Sequence, residues 1–160
     1  MIKLRILAFV LPIAGAFMLA GPSHAAQAFS YKTSYRHVAK DPDQVWSDNE
    51  LSPLSNGAVT IHEYQLRTPQ GDLLISQIWN SDCSAATCPT RLIKMDADGR
   101  RIVLVDDMMR QVIPPDDPRF SSLSKSKEQA AFAQRPFSLT DDGKTLVNGD
   151  YKFAIEGSKQ

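Results

Sequence analysis

The sequence predicts a mainly β protein: a single antiparallel β-sandwich or partly closed β-barrel with one short helix, behind a cleaved signal peptide. Three observations carry this. Short apolar or alternating stretches recur between turns rich in Gly, Pro and Asp, at the spacing of sandwiches and small barrels. Strong helix formers are concentrated in one stretch, Lys127–Gln134. No stretch alternates a strand with a long helix, as a parallel βαβ sheet requires.

The N-terminus has the three parts of a secretory signal. Lys3 and Arg5 are its positive region, residues 6–20 carry no charge, and Gly21-Pro22 break the helix before Ser23-His24-Ala25. Cleavage is expected after Ala25, with Ala28 as the second choice. The apolar run is shorter than the ~20 residues of a membrane span, and no second run is long enough to span after cleavage. Residues 26–160 are then one domain. The whole chain balances 18 basic against 18 acidic residues; losing Lys3 and Arg5 leaves 16 against 18. A domain so near neutrality has no global field for nucleic acid or anionic lipid, and no nucleic-acid partner is expected.

Export to the periplasm or beyond, taking the source as bacterial, places Cys83 and Cys88 in an oxidising space, where two close cysteines are expected to pair. Closing so small a loop contributes roughly 2 kcal/mol. The four-residue spacing is not that of a Cys-x-x-Cys redox pair. Neither His37 nor His62 lies downstream to complete a metal site.

The remaining elements follow in order. Phe29, Tyr31, Thr33 and Tyr35 alternate with polar residues, as in a strand with one buried face. Asp41-Pro42 is an N-cap followed by a first-turn proline, starting a helix or turn that ends by Trp46. Residues 47–57 form a loop. Residues 58–66 and 72–79 make a hairpin about Thr68-Pro69-Gln70-Gly71, a type I turn. Residues 90–95 and 101–105 make a second about Asp96-Ala97-Asp98-Gly99. Pro114, Pro115 and Pro118 stop any regular element after Val105. Pro136 closes the helix, and residues 137–140, 145–147 and 151–155 are three closing strands about Asp141-Asp142-Gly143 and Asn148-Gly149.

Searching for chemistry yields little. Asp106-Asp107, Asp116-Asp117 and Asp141-Asp142 could supply carboxylates for glycoside hydrolysis, but strand neighbours point to opposite faces, and aspartate is common beside turns for backbone reasons. Asp96-x-Asp98-Gly99 opens like a calcium loop, yet Arg100 and Arg101 follow where ligands are needed, so a hairpin turn is expected. Ser122-Leu-Ser-Lys125, Ser124-Lys-Ser-Lys127 and Ser47-Asp48-Asn49 match penicillin-binding motifs in the wrong order and without Lys-Thr-Gly. His62, mid-strand, is expected at the surface. No catalytic residue, metal ligand or cofactor site is assigned.

One stretch stands out: Trp79, Asn80 and Asp82, then the Cys83–Cys88 loop, then Arg91. Trp and Arg are frequent hot spots, and a clipped loop is pre-organised for binding. The competing expectation is that Trp79 packs in the core and the disulfide shortens a hairpin connection. The sequence therefore favours an exported, non-enzymatic binding domain. Its partner would be another exported or envelope protein, engaged as an inhibitor or immunity-type factor. The alternatives are an envelope hydrolase using carboxylates and His62, and a structural envelope component.

Overall fold

A computed structural model describes residues 26–51, 59–96 and 98–155. The signal segment and its cleavage site lie outside them, as do residues 52–57 of the expected loop, Ala58 of the strand expected over 58–66, and Ala97 of the second hairpin turn. Nine strands occur among the described residues: β1 Gln27–Ala28, β2 Ser30–Arg36, β3 Thr60–Thr68, β4 Gly71–Trp79, β5 Thr87–Met95, β6 Arg101–Arg110, β7 Ser138–Leu139, β8 Thr145–Asn148 and β9 Tyr151–Ala154. They form two antiparallel sheets, ordered β2-β3-β4-β5-β6 and β1-β7-β8-β9, with no closed barrel. The mainly β, sandwich-like architecture expected from the sequence is observed. No helix among the described residues is long and apolar enough to cross a membrane.

The three hairpin regions form where the turn chemistry places them. Gly71 closes the β3–β4 turn at φ 119°, and a Cβ there would sit 2.8 Å from the Met95 carbonyl. Only glycine meets both demands. Asp96 folds the β5–β6 turn by accepting from the amides of Asp98 and Arg100. The helix α2, Lys127–Gln134, has the expected bounds; Ser126 caps it by accepting from the Gln129 amide, and Phe132 and Ala133 face the core.

The large sheet is covered on both faces at β3 and β4. Its inner face packs on the small sheet through Phe29, Tyr64, Ile75, Leu92, Met109, Phe137, Leu139 and Leu146. Its outer face packs under residues 41–51 through Trp46, Leu51, Val59, Ile61 and Ile78. This double cover explains why β3 is buried at four consecutive positions, 61–64. An antiparallel strand with one wet face would alternate instead.

Four expectations are corrected. The alternation from Phe29 to Tyr35 does not mark one face. A β-bulge between Tyr31 and Thr33 shifts the register, so Phe29 and Tyr31 join the inner core while Tyr35 joins the outer one. The sixth strand does not stop at Val105 but runs to Arg110, because Pro89, Cys88 and Thr87 continue β5 and pair with Met108, Met109 and Arg110. Within residues 47–57 a one-turn helix, α1 Asp48–Leu51, forms; Glu50 reaches back to the Ser47 amide and hydroxyl, half of a capping box. His62, expected at the surface, is fully buried.

Asp41 organises the segment that covers the outer face. Its carboxylate accepts from the amides of Asp43 (2.9 Å), Val45 (2.7 Å) and Trp46 (2.9 Å). These bonds hold a turn in place and deliver Trp46 to the sheet, where its indole N–H donates to Ser76 at 2.8 Å. Asp41→Ala is expected to destabilise the domain by about 2 kcal/mol, since it orphans three amides at once. Urea denaturation checks this, and an unchanged midpoint would refute it.

Candidate functional site

The inner face carries a polar row across four strands. Ser34, His62, Gln77 and Thr90 are successive cross-strand partners on β2, β3, β4 and β5. One step further inside, Tyr31, Tyr64, Ile75 and Leu92 form the apolar row of the core. One step further out lie Arg36, Thr60 and Trp79. The polar row is thus the boundary between the apolar core and one end of the sandwich.

Gln77 satisfies its whole side-chain amide there. Its Nε2 donates to Thr90 Oγ1 (2.9 Å) and the Arg110 carbonyl (3.2 Å). Its Oε1 accepts from Trp79 Nε1 (3.1 Å) and the Val112 amide (3.0 Å). Two donors and two lone pairs is the full capacity of the group. Trp79 is therefore tethered through its indole N–H. It is half-buried, its ring meets the His62 imidazole edge-on at 4.3 Å, and the Arg119 guanidinium lies 5.0 Å over it.

The loop after β6 closes over this end. Asp117 caps the 3-10 helix Pro118–Lys125 and binds Arg119 through both carboxylate oxygens, at 3.0 and 2.9 Å. This forked pair orients Arg119 over the indole and holds the Asp117 carboxyl down at about 2. Asp116 accepts from Ser34 Oγ (3.1 Å) and pairs with Arg36 (3.2 Å).

Ser34, His62 and Asp116 together do not make a nucleophile relay. Ser34 Oγ lies 2.7 Å from His62 Nδ1 and 2.8 Å from Tyr31 Oη, so the hydroxyl sits between imidazole and carboxylate. In a triad the imidazole occupies that place. His62 Nε2 has no hydrogen-bond partner. Burial pushes the imidazole down to about 4, so it is neutral at neutral pH. A carboxylate beside the hydroxyl would also repel an oxyanion formed there. The constellation anchors β2 and the Asp116 loop to β3.

The disulfide Cys83–Cys88 forms, as expected. Between Trp79 and Cys83, Asn80 accepts from the Asp82 amide and donates to its carboxylate, folding a tight turn. Trp79, Asn80, Asp82 and the disulfide are thus contiguous at one end. Arg91 is not part of this group. It pairs with Ser76, on the face opposite Gln77 and Trp79. There it stacks 4.2 Å over Trp46 and binds Glu50 (2.6 Å), Asp106 (3.0 Å) and the Val45 carbonyl (2.8 Å). Burial opposes ionisation of Glu50, but the hydrogen bonds from Arg91 and Ser47 outweigh it and hold the carboxyl at about 2.

A second charged group escaped sequence reasoning. On the outer face Lys32 bridges Asp43 (2.9 Å) and Glu63 (2.8 Å), and Tyr35 Oη donates to Asp43 (3.0 Å). The Glu63 side chain is fully buried and its Oε1 has no partner. Burial drives its carboxyl up to about 8; Lys32 opposes this and the Asp43 carboxylate adds to it. The bulge at Lys32 puts this side chain on the outer face, and no one-dimensional pattern marks it. His62 and Glu63 face opposite ways from adjacent positions, so the histidine and the buried carboxyl work in separate sites.

Comparison with protein-family models, with curated proteins and with solved structures finds no match for this chain.

Proposed function

We propose that this chain is an exported, non-enzymatic binding domain of the bacterial envelope, docking on another exported protein as an inhibitor or immunity-type factor. The docking end is the one carrying Trp79, Asn80, Asp82 and the Cys83–Cys88 loop. The observation that supports this is the anchoring of Trp79. A half-buried indole held by Gln77, His62 and Arg119, beside a closed loop, loses little freedom on binding. Arg36, Asp116 and Arg119 border it and offer both signs of charge to a partner. Arg91 takes no part in this reading.

The test is capture from an envelope extract by the oxidised protein, followed by affinity measurement with the retained partner. Trp79→Ala is expected to weaken binding by about thirtyfold or more, as for a central hot spot. Arg119→Ala and the double change Cys83→Ser/Cys88→Ser are expected to weaken it less. Thermal melts of each variant separate a lost contact from a lost fold. Retention unchanged in all three variants would end the reading.

A hydrolase is the second reading, and one observation favours it. Asp43 and Glu63 flank Lys32 with their pKa values pushed apart, Asp43 lowered and Glu63 raised. Burial of Glu63 weighs against direct contact with a substrate. Turnover of an envelope polysaccharide that disappears in both Asp43→Asn and Glu63→Gln would support it.

A further inference from the structure

Where β6 finishes, paired with Thr87 of the disulfide loop, Arg110 stands beside a cavity of about 140 Å³. Its lining is Arg110, Gln111, Ile113, Gln129, Phe132 and Ala133. Arg91 and Arg110 are the half-buried arginines among the described residues. Arg91 has two carboxylate partners, whereas the Arg110 guanidinium has no hydrogen bond or ion pair with any described residue. A half-buried cation without a counter-ion is uncommon, because desolvation is then uncompensated.

The guanidinium is nevertheless held in place. Its Cζ lies 4.3 Å over the Phe132 ring of α2. From another side the β8–β9 turn approaches so closely that a Cβ at Gly149 would stand 3.2 Å from Arg110 Nη1 and 3.3 Å from Phe132 Cε2. The backbone beneath is fixed as well: Gln77 binds the Arg110 carbonyl, and the Gln111 amide donates to the Ala86 carbonyl at 2.8 Å. Three elements therefore position one planar, five-donor cation at the wall of a cavity. Ile113, Phe132 and Ala133 supply apolar wall, and Gln111 and Gln129 add amides. A guanidinium fork matches a carboxylate in two parallel bonds. A dry cavity of about 150 Å³ holds one benzene ring.

We propose that this cavity binds a small monocarboxylate with an apolar body the size of one ring, its carboxylate on Arg110 and its body against Ile113 and Ala133. The cavity adjoins the disulfide loop, but carboxylate binding there needs no contact with Trp79. Its test is titration of the full oxidised chain, labelled with ¹⁵N, with benzoate, followed at the Arg110 Nε–H and the side-chain amides of Gln111 and Gln129. Saturable shifts at all three are expected with benzoate. Benzamide, which lacks the charge, and acetate, which lacks the body, are expected to bind at least about tenfold more weakly. Arg110→Lys keeps the charge but loses the fork, and a similar weakening is expected. Gln129→Trp, at an exposed helix position, is expected to abolish the response by filling the mouth while leaving Arg110 in place. Equal binding of benzamide and benzoate would overturn the proposal. So would benzoate shifts that do not saturate, or that persist in Gln129→Trp.

Discussion

Gln77→Leu is expected to destabilise the protein by about 3–5 kcal/mol, the largest effect of any polar substitution in the sheet. Leucine has nearly the volume of glutamine, so the loss is not one of packing. It strands the Trp79 indole N–H, the Val112 amide and the Arg110 carbonyl, and removes a donor from Thr90. Val112 is fully buried, which leaves its amide no access to water. Each stranded group costs about 1–3 kcal/mol of desolvation. Urea denaturation of the oxidised protein should give a lower midpoint at unchanged slope. Trp79 fluorescence should report a looser indole, with Trp46 as the second, unaffected emitter. A loss below about 1 kcal/mol would mean that the four bonds are replaced rather than forfeited.

Stability is expected to be nearly level between pH 4.5 and 6.5 and then to fall by about 2 kcal/mol by pH 8. Two buried groups produce this shape. Glu63 has a folded pKa of about 8, above the ordinary 4.5, so the folded state holds its proton longer. That contribution is complete below 4.5 and is lost as pH rises through 8. His62 has a folded pKa of about 4, below the ordinary 6.5. Its contribution is complete above 6.5 and is lost as pH falls through 4. Between 4.5 and 6.5 the two slopes oppose each other; above 6.5 only Glu63 acts. Lys32 stays charged throughout, because its hydrogen bonds to Glu63 and Asp43 outweigh its own desolvation and raise its pKa. Glu63→Gln is expected to flatten the alkaline limb and to turn the level stretch into a fall in stability as pH drops from 6.5 towards 4, because the His62 slope is then unopposed. A wild-type curve already flat from pH 6.5 to 8 would instead mean that Lys32 and Glu63 stay ionised together as a buried pair.

These buried groups also bear on the functional reading. The polar row beneath Trp79 and the Lys32 group on the other face both fasten covering segments to the large sheet. Their partners, Asp116 and Asp43, lie in loops that the strand pattern does not place. The protein thus uses buried polar groups where a larger domain would use a larger core.

Local structure was legible because it is set by neighbours in the chain. The hairpins at Gly71, Asp96–Gly99 and Asn148–Gly149 follow from turn residues, and α2 follows from helix formers between Ser126 and Pro136. The disulfide follows from two close cysteines and an expected export signal. Period-two alternation also separates Trp79 from Arg91 once the register is known. Register depends on the pairing partner, however, and a single bulge at Lys32 inverts which residues share a face. Alternation says which side chains stand together, but not what covers each face. Residues 41–51 cover the outer face of the large sheet at β3 and β4, and so Glu63 becomes buried one position from an equally buried His62. Sequence alone therefore determined the class, the turns, the helix and the cysteine pair. Tertiary structure decided which polar residues are sealed, what each one bonds, and where an unpaired Arg110 meets a cavity, because burial is a property of the covering layer rather than of the strand itself.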